Sequence, residues 1–250
     1  MSKLGSREEH ILNYVIRDYV ENAAPISSGR IYESGRFRLS PATIRNAMLS
    51  LDEEGYLEQP HTSSGRVPTD KAYRYFVDNL MSFKGPSKRE RIMIDGLVNE
   101  AHDRRDHFFE GFARIVSDEL GLFTGFASFN ENSRIGLPRQ NVVKAGGFGL
   151  EKLFSEPEFD DKNLTVEFSR LVDNLEKVAQ KFFEGVSENT SVVFIGDENP
   201  ADRAKEFSSV VMRFSGDDFG NCVIFSLGPK RMDYEKASSI INFIVHDISK

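Results

Sequence analysis

The sequence predicts an α+β fold class in two domains, and three observations lead to this prediction. Residues 1–82 carry, in order, three helical patterns, a short hairpin and a further helix. Residues 91–250 mix long helical patterns with short β-rich runs. Between them, the run FKGPSKRE (residues 83–90) places Gly and Pro among charged residues, which is typical of a linker or helix boundary. We therefore predict one domain over residues 1–82 and another over residues 83–250.

The composition is that of an ordinary folded protein. Hydrophobic residues make up 39% of the 250 residues and charged residues 28%. No apolar run approaches the roughly 20 residues that span a bilayer, and the polar opening MSKLGSREEH does not resemble a secretory signal. We therefore expect no membrane association. The single cysteine, Cys222, fits a reducing cytoplasm and is interpreted as a small core residue.

The charge distribution leaves room for a local nucleic-acid site. The net charge of −7 has the wrong sign for a protein that coats nucleic acid with its whole surface. However, the first 80 residues contain 10 Lys and Arg against 11 Asp and Glu, so most of the acidic excess lies beyond them. A near-neutral N-terminal domain can still concentrate its arginines on one face.

The first two helices are predicted from their end signals. Ser6 followed by Glu9 has the spacing of a capping box, and apolar residues then recur at helical spacing up to Val20. A short helix from about Ser27 to Ser34 follows, and Gly35 ends it.

The third helix and the hairpin complete the pattern. In LSPATIRNAMLSLDEEGYL, Ser40 is predicted to cap the helix, Pro41 to occupy its first position and Gly55 to end it. The next run, YLEQPHTSSGRVPT, predicts two extended arms around the turn Thr62–Gly65. Helix, turn, helix and hairpin in this order indicate a winged helix-turn-helix domain.

The residue types in this domain suit DNA recognition. A helix in the major groove needs small polar residues near its N-terminus, where Arg can bind guanine and Asn adenine. Hydroxyl groups and an arginine near a hairpin tip suit phosphate contact or entry into the minor groove. The predicted DNA-binding residues are Ser40, Ala42, Thr43, Arg45 and Asn46 on the helix and His61, Thr62, Ser63, Ser64 and Arg66 on the hairpin.

Other interpretations of these segments stay open at this point. Capped helices and Ser/Gly turns are common, so either segment alone would be read as structural. A second hypothesis is an enzyme or ligand-binding protein whose N-terminal domain docks protein. The succession of both segments in one compact unit favours DNA binding.

A family resemblance points the same way. The run SPATIRNAMLSLDEEGYLEQPHTSSGRVPTDKAYRYFVDNLM strongly resembles the DNA-binding domain of the HrcA family, and PISSGRIYE before it and the C-terminal runs FIGDENP and GPKRMDY also resemble the family. The resemblance implies a winged-helix domain followed by a GAF-like domain that carries an inserted dimerisation segment. It also implies a repressor of chaperone genes that binds an inverted-repeat operator as a homodimer and depends on chaperonin, losing activity on heat shock when chaperonin is titrated.

The chain departs from the family pattern in its second half. SRIGLPRQNVVKAGGFGLEKLFSEPEF follows almost directly on FTGFASF, where the family has further strands and the inserted segment, so we expect most of the insertion to be missing. Residues 162–184 are predicted as one helix, and strands flanked by helices suit a GAF-like α/β domain. The aromatic group Phe108, Phe109 and Phe112 is either a surface that chaperonin holds when the domain opens or permanent core.

No catalytic chemistry is predicted. AGGFGLEKL lacks the spacing of nucleotide-binding loops and is interpreted as a tight strand-to-helix turn. In GPKRMDY, Lys230 and Arg231 could bind an anion, but we favour a structural role beside acidic neighbours. We therefore expect neither a metal nor a cofactor and do not expect an enzyme.

Overall fold

The computed structural model describes residues 4–62, 64–82, 85–101, 105–132, 139–216 and 220–248. The chain forms two compact units, Met1–Met81 with Lys230–Met232, and Ser82–Pro229 with Asp233–Lys250. The architecture is mixed α/β, and every strand pair is antiparallel among the described residues. No helix in the described part of the chain is long and apolar enough to cross a membrane.

The first unit contains helices and one small hairpin. Its elements are α1 (Ser6–Asn22), α2 (Ser28–Glu33), α3 (Pro41–Glu53), β1 (Leu57–Glu58), β2 (Val67–Pro68), α4 (Asp70–Tyr75) and a π-helical turn (Phe76–Leu80). Strands β1 and β2 pair antiparallel, with Leu57 opposite Pro68. The apolar faces of α1 and α3 are buried against each other, including Ile11 and Val15 of α1 and Ile44 of α3. This packing leaves the opposite face of α3 exposed.

The start of α1 differs from the prediction. Gly5, not Ser6, is the N-cap, and it makes no side-chain cap hydrogen bond. The carboxylate of Glu9 does not fold back onto the helix start, because its Oε1 accepts a hydrogen bond from Tyr75 Oη at 2.5 Å. Predicting Ser6 as the cap was therefore wrong, because the first helical hydrogen bond runs from the N–H of Glu9 to the carbonyl oxygen of Gly5, and Ser6 is already within the helix.

Residues Lys230–Met232 belong to the first unit although they lie far along the chain. Lys230 Nζ is 2.8 Å from Asp70 Oδ2, and Arg231 Nη1 donates to the carbonyl oxygen of Val20 at 2.9 Å. These contacts confirm the structural interpretation of the basic pair.

The second unit is built on a five-stranded sheet. Its helices are α5 (Lys88–Ala101), α6 (Arg105–Leu120), α7 (Leu150–Leu153), α8 (Lys162–Asp173), α9 (Leu175–Gly185) and α10 (Tyr234–Ile248). Its strands are β3 (Phe123–Asn132), β4 (Arg139–Phe148), β5 (Thr190–Ile195), β6 (Ser208–Gly216) and β7 (Gly220–Gly228), in the sheet order β4-β3-β7-β6-β5. Between β4 and α7, Gly149 has a φ of +105°, so the chain makes the tight strand-to-helix turn that the sequence predicts.

The predicted single helix over residues 162–184 is two helices. Asn174 interrupts it with φ −112° and ψ 28°, and its Nδ2 donates to the carbonyl oxygen of Arg170 at 2.9 Å. The apolar periodicity continues through the break, because Leu171 on α8 and Val178 on α9 are both buried. The apolar periodicity alone therefore could not predict the break at Asn174.

Aromatic side chains fill the core of the second unit. Phe168 is completely buried, and its ring packs edge-on against four others, at centroid distances of 4.9 to 6.0 Å. Those four rings belong to Phe123, Phe154, Phe159 and Phe207. The group Phe108, Phe109 and Phe112 is also buried, as the core interpretation predicts.

Polar side chains in this core are hydrogen-bonded to neighbouring groups. The Asn199 amide of the FIGDENP motif donates to the carbonyl oxygens of Gly196 and Phe207, and its Oδ1 accepts a hydrogen bond from Ser209 Oγ at 2.6 Å. The motif thus fixes the chain between β5 and β6. Cys222 is fully buried in β7, and this burial raises the pKa of its thiol to about 12.

Candidate nucleic-acid interface

Helix α3 is positioned by local signals at both ends. Ser40 Oγ accepts a hydrogen bond from the backbone N–H of Thr43 at 3.2 Å, and Pro41 begins the helix. Gly55 follows its end with a φ of +76°, a conformation that glycine adopts without strain. The predicted cap, first residue and terminator are therefore all confirmed.

The outer face of α3 carries the predicted helix residues. Ala42, Arg45 and Asn46 are exposed, and neither the Arg45 nor the Asn46 side chain has a hydrogen bond or ion pair within the described structure. Thr43 is half-buried, and its Oγ1 lies 2.8 Å from Ser40 Oγ. Two residues are therefore poised to bind an external partner, while Ser40 and Thr43 also hold the helix start.

The hairpin turn is stabilised by hydrogen bonds between its own residues. Gln59 Nε2 donates to the carbonyl oxygens of Thr62 and Ser64, each at 2.9 Å. Ser64 Oγ donates to the carbonyl oxygen of His61 at 2.7 Å, so the turn is held while the side chains of His61 and Thr62 stay exposed. Ser63 lies outside the described residues.

Arg66 sits at the base of the hairpin and has an internal partner. Its Nε lies 2.7 Å from Asp52 Oδ2 on α3, and the residue is half-buried. Its backbone pairs with Ile26, with N–H to O distances of 2.8 and 2.9 Å in the two directions. The arginine predicted at the hairpin thus ties the hairpin to the helices.

Gly65 makes this close approach possible. A Cβ atom at this position would come within 2.4 Å of the carbonyl carbon of Ile26. The glycine in HTSSGR is therefore required by the packing of the hairpin against the segment before α2.

The helix and the hairpin line a common groove of about 320 Å³. The lining comprises Ile26, Ser27 and Ser28 before and in α2, Arg45, Met48 and Leu49 of α3, and Gln59, Thr62, Ser64, Gly65 and Arg66 of the hairpin. Hydroxyl, amide and guanidinium groups of three sequence segments therefore face the same space. Sequence reasoning did not select Gln59, Ser28 or Leu49, although Leu49 follows Arg45 by four residues and so shares its helix face.

Metal chemistry finds no support in this part of the chain. Among the described residues, no three His, Cys, Asp or Glu side chains are grouped so that they could hold a metal ion.

Comparison with known proteins shows which proteins this chain resembles. Residues 134–237 match the family model described as the HrcA protein C-terminal domain. The chain is 48% identical over 100 residues to the heat-inducible transcription repressor HrcA of Beutenbergia cavernae, covering 40% of this chain and 28% of that protein. It is 25% identical over 333 aligned positions to the protein of the same name from Natranaerobius thermophilus, covering 98% and 96% of the two chains. These relatives are transcription repressors. The chain is similar to these repressors, and its second half matches the HrcA family.

The second alignment also bears on the missing insertion. Its 333 positions exceed the 250 residues of this chain, so the Natranaerobius protein carries a long stretch without a counterpart here. In this chain Asn132 of β3 pairs with Arg139 of β4, which leaves only residues 133–138 to connect the two strands. These observations agree with the shortening that the sequence predicts.

One solved structure has the same fold. It is reported as "Crystal structure of a hypothetical protein at 2.2 A resolution" and superposes with a TM-score of 0.77 at 17% identity, over 99% of this chain and 98% of that one. At this identity the likeness concerns the fold alone.

Proposed function

We propose that this protein represses transcription by binding double-stranded operator DNA through its first unit, which acts as a winged helix-turn-helix. The observation that carries the proposal is the shared groove, in which the outer face of α3 and the hairpin turn present hydrogen-bonding groups to one space. A helix that enters the major groove beside a hairpin that follows the backbone needs this arrangement.

Within this proposal the exposed residues take different roles. Arg45 and Asn46 read base edges, since they are exposed and have no partner among the described residues, while Ala42 lets the helix backbone approach the bases closely. His61 and Thr62 contact the DNA backbone from a turn that Gln59 braces. The negative net charge does not oppose this, since most of the acidic excess lies outside the first unit.

Footprinting on the promoter of the organism's own chaperonin operon tests the proposal. We expect a protected inverted repeat and an affinity that falls steeply with salt, because phosphate contacts release counterions. If the first unit docks protein instead, no protection will be seen and no salt-dependent shift of promoter DNA will occur. Arg45→Ala provides the matched variant, because its side chain is exposed and we expect its loss to leave the fold intact.

We also propose that the protein acts as a homodimer. An inverted repeat matches a two-fold protein, and one winged helix reads only a few base pairs. The second unit, which we propose to be GAF-like, or α5 and α6 within it, would provide the contact in place of the shortened insertion. Sedimentation without DNA tests this. A monomer at micromolar concentration that occupies each operator with a single protein would contradict it.

Regulation by chaperonin is the last part of the proposal. The resemblance to the HrcA family supports a repressor that chaperonin keeps in its active form in the cytoplasm, and that loses activity when unfolded proteins occupy chaperonin during heat shock. The native protein buries Phe108, Phe109 and Phe112, so chaperonin would reach them only after the second unit opens. Operator binding over a temperature series, with and without chaperonin, tests this. Heat-resistant binding that chaperonin does not change would exclude titration while leaving repression intact.

A further inference from the structure

Leu49 is a large apolar side chain on the outer face of α3. It is 42% exposed, whereas its helix neighbours Met48 and Leu51 are buried in the first unit. A single exposed leucine is not unusual in itself. Its position is informative, because Leu49 lines the groove that Arg45 and the hairpin also line.

The spacing places Leu49 in line with the proposed base-reading residues. Ala42, Arg45, Asn46 and Leu49 occupy helix positions i, i+3, i+4 and i+7, so they form one stripe along α3. All four are exposed. Leu49 therefore stands about one helical turn beyond Arg45 on the face that would enter the major groove.

The major groove offers one apolar group to such a side chain. Base edges there present hydrogen-bond donors and acceptors, with the 5-methyl group of thymine as the exception. Leu49 cannot donate or accept a hydrogen bond, so it discriminates among bases only through this methyl group. We propose that Leu49 reads a thymine next to the base read by Arg45. The inference rests on the proposed function and adds a specificity-determining residue to it.

The surroundings of Leu49 argue against a protein partner at this place. Most of the groove facing it is polar, with Gln59, Thr62 and Ser64 contributing amide and hydroxyl groups. In the described part of the first unit, Tyr32 is the only other large apolar side chain with comparable exposure, at 50%. Two such side chains do not form the extended apolar patch that a stable protein interface uses.

The test removes the methyl group from the DNA and the side chain from the protein. A preferred duplex is first selected from random DNA with the full-length protein. Each thymine is then replaced singly by deoxyuridine, which keeps the base pair but lacks the methyl group. For the wild-type chain we expect one position in each half-site where this weakens binding about fourfold, the factor that corresponds to ~0.8 kcal/mol for one buried methyl-sized group. For Leu49→Ala the same replacement should have no effect.

Two further variants make the result decisive. Leu49→Met keeps an apolar side chain of similar volume, so it should keep the deoxyuridine penalty. Val166→Ala, which shortens an exposed side chain of α8, should behave as wild type. A preferred duplex with no sensitive thymine, or with the same penalty in Leu49→Ala, would overturn the role of Leu49 and leave DNA binding in place. Failure to select any preferred duplex would overturn the proposed function together with this inference.

Discussion

The two units use their side chains in opposite ways. In the first unit, the residues proposed to contact DNA point outward, and α3 buries one face and exposes the other. In the second unit, the distinctive residues point inward, where Phe168 alone packs against four other rings. This difference predicts that substitutions in the two units will affect different properties of the protein. Changes on α3 should alter DNA binding with little effect on stability, and changes in the aromatic core should do the reverse.

Phe168→Ala should have the largest effect. It removes a fully buried ring from the centre of the aromatic core, so we expect the free energy of unfolding to fall by about 3–5 kcal/mol. Chemical denaturation measures the change. Val166→Ala on the same helix is the control, since that side chain is 47% exposed and its loss should cost within about 0.5 kcal/mol. Equal effects of the two variants would contradict the packing described for Phe168.

Arg45→Ala tests the prediction that changes on α3 alter DNA binding with little effect on stability. We expect a loss of about 1–3 kcal/mol in binding to the operator, a relaxed preference at one base pair, and unchanged unfolding. Arg170→Ala, which removes an exposed arginine of α8, should leave binding unchanged. An equal loss on operator and random DNA would make Arg45 a phosphate contact, and no loss on either would remove it from the interface.

Arg66 should show an intermediate behaviour, because it is a surface residue with an internal partner. Its ion pair with Asp52 holds the hairpin to α3, so we expect Arg66→Ala and Asp52→Asn to weaken operator binding alike, by about 0.5–1 kcal/mol. The double variant should lose little more than either single one. The salt dependence of binding should stay unchanged in all three. A slope reduced by about one unit in Arg66→Ala alone would instead support the phosphate contact that the sequence predicts.

Glu90→Gln should have the smallest effect, and it depends on pH. Burial alone would raise the pKa of Glu90, but hydrogen bonds from Ser87 and the nearby Lys236 ammonium outweigh it and lower the pKa below the ordinary value of a glutamate. The ionised carboxylate therefore stabilises the fold above that ordinary pKa, and the stabilisation is lost as the pH falls through the lowered pKa.

Thermal unfolding across the acid range measures this prediction. The advantage of wild type over Glu90→Gln should shrink as the pH falls below about 4.5. Asp95→Asn, at an exposed position on the same helix, should follow wild type at every pH. A difference between wild type and Glu90→Gln that stays constant down to low pH would contradict the lowered pKa.

Local signals in the sequence were enough to predict the candidate site. The start of α3 depends on Ser40 and Pro41, its end on Gly55, and the hairpin on a turn rich in Ser and Gly, so each could be predicted from neighbouring residues. The residue types on the helix and hairpin then led to the prediction of which side chains contact DNA, and the family resemblance agreed with it.

Contacts between distant segments could not be predicted in the same way. The carboxylate of Glu9, which the sequence predicts in a capping box, instead accepts a hydrogen bond from Tyr75, which lies 66 residues away in sequence. Asp52 forms an ion pair with Arg66, a residue that the sequence predicts to contact DNA. In both cases the side chain was identified as a hydrogen-bonding group, and only the fold decided which partner it would have.

The burial of Cys222 has a practical consequence. The chain has one cysteine, which is inaccessible in β7, and its thiolate is negligible at neutral pH because burial raises its pKa to about 12. The native protein should therefore resist maleimides and similar thiol reagents. A cysteine introduced at an exposed position such as Thr62 would be the one site modified, so a fluorophore or spin label could be attached there without first removing Cys222.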